Sequence, residues 1–175
     1  MLDVLTPRLR LHPINVAEAA RIFARAAGPA GSWVDDFPFE GDIAAVGAFL
    51  RNTAAHGQQQ PFGYYLITRL SDDKAIGGVG FKGQPQAGGV EIGYGLARSA
   101  RGHGYAAEAI VALLTICVDY GLTRVIADTT ADNIASQRSL TRAGFRLTRT
   151  DDELHYYEAN LGRSGGSATK AALSS

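Results

Sequence analysis

Arg98 and Arg101 precede the run Gly102-His103-Gly104-Tyr105-Ala106-Ala107, which joins a strand-like apolar segment to a helix-like one. The chemistry open to such a run is anion binding. Two glycines remove the side chains that would hold a phosphate away from the backbone. The first N–H groups of the following helix lack internal acceptors, and its dipole adds partial positive charge. The alternative is a plain strand-to-helix turn that uses glycine for its dihedrals. Farther along, Asn133 and Ser136 stand three apart and share a helix face. Either they present an amide and a hydroxyl to a ligand, or Asn133 (or Asp132) caps a helix and Ser136 lies on its surface. Glu91, on the segment leading into the glycine run, offers a carboxylate as general base. A structural, hydrogen-bonded Glu on a sheet is the equal alternative.

Other residue types narrow the field. Cys117 falls on the apolar side of a helix and reads as a buried structural thiol rather than a nucleophile. A single cysteine excludes an internal disulfide and fits a reducing, cytoplasmic setting. His12, His56, His103 and His155 lack metal-ligand spacing, so no metal is expected. Lys+Arg 17 against Asp+Glu 17 gives no net charge, which argues against general nucleic-acid binding. No apolar run approaches the ~20 residues of a membrane span, and the N-terminus has no signal-peptide core, so no membrane partner is expected.

The 175 residues suit one domain. Residues 8–14 alternate as a half-buried strand that Pro13 ends or places at an edge. Asn15 caps a helix expected to reach Ala27. A loop follows with Trp33, Phe37 and Phe39 among Asp35, Asp36 and Glu40. A second helix, with Asp42 as its cap, stops before Gly57. Segments 62–70 and 75–83, joined by a polar turn, and segment 90–96 read as an antiparallel meander. Residues 104–122 read as the longest helix, with Ala106, Ala109, Ile110, Leu113, Cys117 and Tyr120 on its buried face. A strand at 124–130, a short helix ending at Gly144 and two closing strands complete a domain at 1–161. The Gly/Ser/Ala-rich tail, 162–175, is expected to be disordered. The order β-α-α-β-β-β-α-β-α-β-β gives a mixed, mostly antiparallel sheet flanked by helices, an α/β (α+β) domain.

A dinucleotide fold would carry its glycine loop after the first strand and follow it with several βα units. Here the loop follows hairpin-linked strands, and too little chain remains. Arg101 to Ala106 instead resembles the acyl-CoA pyrophosphate loop of the GNAT acetyltransferases, Arg/Gln-x-x-Gly-x-Gly/Ala. Residues 132–145 resemble that family's second coenzyme A segment. Residues 5–14 and 90–96 resemble the opening and the pre-loop strand of the branch typified by the ribosomal-protein alanine N-acetyltransferases RimJ and RimL. The resemblance spans residues 2–161 and implies a single GNAT domain whose sheet is splayed between its fourth and fifth strands.

It further implies acetyl-CoA as acyl donor. Arg101, Gly102, His103, Gly104, Tyr105 and Ala106 would hold the diphosphate. Leu96, Ala97 and Asn133 would hold the pantetheine arm. Ser136 would hydrogen-bond the developing thiolate, or relay a proton from water, rather than act as an acid itself, since an alcohol is a weaker acid than a thiol. Glu91 would be the base. The acceptor would be a primary amine, of a small molecule or a protein N-terminus, with Trp33 and Phe37 on its side. The amine would attack directly in a ternary complex. A non-catalytic acyl-CoA sensor and a nicotinamide enzyme are the rival readings, and a homodimer is compatible with any of them.

Overall fold

Asn15 and Glu18 fix the start of the first helix: the Asn15 side chain accepts from the Glu18 N–H at 3.0 Å, and the Glu18 carboxylate accepts from the Asn15 N–H at 2.8 Å. In the computed structural model, which describes residues 2–26, 28 and 31–162, the elements run β1 (Val4–Leu5), β2 (Leu9–Pro13), α1 (Val16–Phe23), α2 (Glu40–His56), β3 (Tyr64–Arg69), β4 (Lys74–Phe81), β5 (Gly89–Leu96), a 3-10 turn (Arg98–Ala100), α3 (Tyr105–Asp119), β6 (Arg124–Thr130), α4 (Ile134–Arg142), β7 (Arg146–Thr150) and β8 (Leu154–Asn160). The expected order holds, with one two-residue strand added in front. The expected tail lies almost wholly outside the described residues.

All eight strands join one sheet in the order β1-β2-β3-β4-β5-β6-β8-β7. Every neighbouring pair is antiparallel except β5 and β6, which run parallel. That parallel pairing spans only Gly89–Glu91 against Arg124–Ile126. Beyond it β5 stays on β4 as far as Leu96, while β6 stays on β8 as far as Thr130. The sheet therefore forks between the two central strands, the fourth and fifth of the expected order. One backbone edge of β5 is left facing the gap.

Alternation along the strands builds two cores. Leu11, Tyr65, Ile67, Val79 and Ile92 point to the face covered by Ile110 and Leu113 of α3. Ile14 and Tyr64 point the other way, into a cluster with Ile22 of α1 and Val46 and Phe49 of α2. Cys117 is fully buried in the first core, where burial pushes its thiol up to about 12.

The clearest departures from expectation are at three helix ends. α1 stops at Phe23 because Arg25 takes a φ of 51°, outside the helical region. Its guanidinium donates to the Pro38 carbonyl at 2.9 Å and pairs with Glu40, tying the end of α1 to the start of α2. α2 begins at Glu40, so Asp42 is not its cap but its third residue, accepting the Phe39 N–H at 3.2 Å. At 17 residues α2 is longer than α3, which has 15. α3 ends at Asp119, and Gly121 at φ 73° turns the chain, leaving Tyr120 exposed rather than buried. Gly144 does close α4 as expected: φ is 95°, its N–H meets the Thr141 carbonyl, and the Phe145 N–H meets that of Leu140.

Candidate functional site

The glycine loop lies at the mouth of the fork. Gly102 and Gly104 adopt φ of 83° and 79°, the left-handed region that disfavours any side chain. Gly104 is the residue before α3, so the first amides of that helix point out of its end without intrahelical acceptors. The amides of Gly102, His103 and Gly104 likewise make no protein hydrogen bond among the described residues.

Arg8, just before β2, fixes the loop. It donates to the His103 carbonyl at 2.8 Å and to Glu108 at 2.7 Å, and its guanidinium lies 4.8 Å from the centre of the Tyr105 ring. Thr6 donates to the same carboxylate at 2.6 Å. Although burial pulls the Glu108 carboxyl up, these bonds hold it below its ordinary range. A Cβ added at Gly104 would lie 3.4 Å from an Arg142 nitrogen and 3.6 Å from one of Arg8. Two guanidinium groups therefore converge on the loop.

A cleft of about 330 Å³ fills the fork. Its lining includes Leu96, Gly102, Gly104, Tyr105, Ala106, Asn133 and Ser136, with Arg101, Arg138 and Arg142 and, among the described residues, no acidic one. Of the expected donor-site residues, Ala97 and His103 are not part of it. The Ala97 N–H is taken by the Ile76 carbonyl and the Ala97 carbonyl by Ala100. His103 stacks its ring on Tyr105 at 5.5 Å. The Leu96 carbonyl accepts from Arg101 at 3.0 Å. By the alternation of an antiparallel pair, the amides of Tyr94 and Leu96 face the gap.

On the far wall, the Asn133 side chain accepts the Ser136 N–H at 3.1 Å and so caps α4 while also lining the cleft. The Ser136 hydroxyl lies 2.6 Å from the Tyr94 hydroxyl. Burial pushes Tyr94 up to about 12, so it stays a phenol at neutral pH. Glu91 sits where β5 and β6 part. Its carboxylate meets Lys82 at 2.6 Å, and the same ammonium meets Asp128 at 2.6 Å. Burial pulls Lys82 down, but these two partners prevail and hold it above the usual lysine range. Glu91 lines neither the cleft nor the cavity behind it.

That second cavity, about 420 Å³, lies against β4 and β5 under α2. Phe39, Ala48, Phe49, Phe62 and Phe81 wall it, Gly78, Gly80, Gly93 and Gly95 pave it, and among the described residues Lys82 is the one charged residue of its lining. Tyr94 and Gly95 line both cavities, so the two meet there. Trp33 and Phe37 lie elsewhere. They pack edge to face at 5.2 Å and line an outer groove with Asp35, Asp36 and Glu40. Asp36 in turn accepts the Ser99 N–H at 2.9 Å and its hydroxyl at 2.6 Å, which hold its carboxyl below the ordinary range. Of the loop aromatics, Phe39 is the one that reaches the shared cavity.

Sequence reasoning missed Tyr64, Asp42 and Tyr94 as site residues. Asp42 is 1% exposed and accepts from the Tyr64 hydroxyl at 3.0 Å. Burial pushes its carboxyl up to about 7, against the opposing pull of the Phe39 N–H and Tyr64. The unfolded carboxyl ionises near ~4. Between those values the folded chain binds more protons, so stability from this group is full below about pH 4 and falls as pH rises to about 7. Replacing Asp42 by Asn removes that slope. The melting temperature of the wild type should fall relative to the Asn variant as pH rises from about 4 to about 7, as measured by calorimetry.

The family model described as "Acetyltransferase (GNAT) domain" matches residues 8–146. An uncharacterised N-acetyltransferase of Bacillus subtilis strain 168, YjdG, is 28% identical over 129 residues, covering 73% of this chain and 74% of its own. Among solved structures, an acetyltransferase of Agrobacterium tumefaciens C58 superposes with a TM-score of 0.64 at 24% identity, covering 92% of this chain and 95% of its own. RimL, a ribosomal L7/L12 α-N-protein acetyltransferase solved with coenzyme A, superposes at 0.65 with 18% identity, covering 91% and 98%. The forked sheet, the glycine loop and the match over most of the chain lead to one conclusion: the chain belongs to the GNAT acetyltransferase family.

Proposed function

We propose that this acetyltransferase seats acetyl-CoA in the arginine-rimmed cleft and a primary amine of apolar body in the cavity behind β5, and that the amine attacks the thioester directly where the two meet. The observation that carries the reading is the sharing of Tyr94 and Gly95 by both cavities. A donor and an acceptor entering from opposite sides come into contact only there, so no acyl-enzyme is needed.

Each group then has a task. The loop amides and Arg101, Arg138 and Arg142 take the diphosphate, since bonds from charged donors to phosphate oxygens are the strong ones. The inward-facing amides of Tyr94 and Leu96 hold the pantetheine arm and polarise the acetyl carbonyl, an oxyanion-type contribution. Ser136, held by Tyr94, donates to the sulfur as the C–S bond breaks. Asn133 keeps Ser136 in place by capping its helix. Acetyl-CoA supplies the activated acyl group.

The cavity lining speaks to the acceptor. With phenylalanines for walls, glycines for a floor and no carboxylate, it suits an amine carrying an aromatic or aliphatic body better than a polyamine or an aminoglycoside. A panel of 2-phenylethylamine, an alanine-initiated peptide, spermidine and kanamycin, each offered with acetyl-CoA and followed by free-thiol release, tests this. Turnover of the first two and not the polycations is expected; turnover of none sinks the reading. Ala48→Trp, which fills the cavity from α2, should raise the amine KM by about 10-fold or more while leaving coenzyme A affinity in calorimetry unchanged.

A further inference from the structure

We infer that Tyr64, backed by Asp42, takes the proton from the acceptor ammonium, so that the base of this enzyme lies under α2 rather than on β5 at Glu91. The inference rests on the proposed acceptor cavity and adds the proton route. Tyr64 lines that cavity, and its hydroxyl donates to Asp42 at 3.0 Å. The hydroxyl lies over Gly78, where an added Cβ would come within 1.7 Å of it. Gly78 stands directly across from Gly95, which lines both cavities. The phenol therefore sits about one strand spacing, ~4.8 Å, from the junction at which the amine meets the thioester.

Among the described residues, the charged groups around this pair are committed elsewhere. The Phe39 N–H and Tyr64 are the groups that bond Asp42. Arg25, at the end of α1, is held by Pro38 and Glu40. Lys82, just beyond β4 and on the cavity lining, is held by Glu91 and Asp128. β5 presents Gly93 and Gly95 to the cavity. Glu91 is occupied by its pair with Lys82.

The transfer balances. An ammonium N–H hydrogen-bonds to the Tyr64 oxygen and passes its proton there as the phenolic proton moves to the Asp42 carboxylate. The neutral amine attacks the acetyl carbon, the new C–N bond forms, and the C–S bond breaks. The second nitrogen proton goes to the departing thiolate, giving amide and free thiol. Once product leaves, Asp42 returns its proton through Tyr64 to water in the cavity, so one proton is released per turnover. Tyr64 is the catalytic group, and Asp42 is a positioning residue that stores the proton. A buried carboxyl whose ionisation is displaced toward neutrality suits that storage.

The test is the pH dependence of turnover for wild type, Asp42→Asn, Tyr64→Phe and Glu91→Gln, using 2-phenylethylamine or whichever amine of the panel turns over fastest. Asp42→Asn and Tyr64→Phe should each lower kcat at pH 7 by about 100-fold, with KM for acetyl-CoA unchanged. The deficit should shrink as pH climbs toward the ~10 at which an amine deprotonates unaided. A purely structural role would give a deficit independent of pH. Glu91→Gln should stay within about 3-fold at every pH, as for an exposed ion pair. A wild-type profile in Asp42→Asn, or loss of the limb in Glu91→Gln, overturns the inference. Should Asp42→Asn not fold, Tyr64→Phe, which keeps the ring, tests the same proton route by the same profile. Should no amine turn over, the acceptor reading fails first. Carboxyl NMR of the full chain then still tests the pair: an Asp42 signal titrating below about pH 5 overturns it.

Discussion

Gly104→Asp is expected to weaken coenzyme A binding by about 100-fold or more, the loss of roughly two charge-assisted hydrogen bonds. The new side chain would begin 3.4 Å from an Arg142 nitrogen and 3.6 Å from one of Arg8. Its carboxylate would occupy the place proposed for phosphate and pair with the guanidinium groups proposed to hold it. Asp is a favoured residue before a helix, so a weaker helix start does not explain the loss. The left-handed backbone at φ 79° adds strain for any side chain. Gly104→Ala separates the two effects: it carries the strain without the charge and should lose no more than about 10-fold. Titration calorimetry with coenzyme A measures both. Equal losses in the two variants would show that charge at this position plays no part in holding the cofactor.

Gly78→Ala is expected to damage stability and turnover together. A methyl there would lie 1.7 Å from the Tyr64 hydroxyl and 2.1 Å from the carbon that bears it, so the buried ring must move. Moving it breaks the bond to Asp42 and leaves a buried carboxyl without its side-chain donor, at about 3 kcal/mol. For a chain of this length that is a fall of roughly 6 to 12 °C in melting temperature. A ring displaced into the cavity proposed for the acceptor should lower acetylation by at least about 100-fold while coenzyme A affinity holds. Scanning calorimetry and free-thiol release read the two parts. A variant with unchanged turnover would show that Tyr64 can leave its seat at no catalytic loss.

Local rules made some of this legible in the sequence. The Asn15 cap, the Gly144 helix stop and the glycine loop before α3 each depend on a few neighbouring residues, and the structure has them where the spacing put them. The fork was visible only through the family resemblance, because nothing in residues 89–96 says where pairing with β6 ends. The end of α1 was missed because Arg25 leaves the helix to bind Pro38, a contact across the loop. Tyr120 was misread because helical periodicity was extended past Asp119, where Gly121 turns the chain.

The site divided in the same way. Gly102, Gly104, Tyr105, Ala106, Asn133 and Ser136 carry motif spacing and line the cleft, whereas His103 does not. Trp33 and Phe37 line an outer groove, while orientation, which composition does not encode, brings Phe39 to the apolar cavity. The Asp42–Tyr64 pair joins α2 to β3 across 22 residues of chain, and Tyr94 meets Ser136 across 42. Such pairs exist only once helices dock on the sheet. The glycines of β4 and β5 were the one sequence signal for this site, since Gly78 and Gly95 let the Tyr64 and Phe39 rings lie close on the sheet.

The most direct measurement is a crystal structure of the full chain with coenzyme A. The diphosphate is expected against the amides of residues 102–106 with Arg142 on its oxygens. The pantetheine arm is expected along Tyr94 and Leu96, and the sulfur beside Ser136 at the opening into the apolar cavity. Coenzyme A bound outside the fork, or a fork closed by pairing of β5 with β6 beyond Glu91, would contradict the proposed donor site.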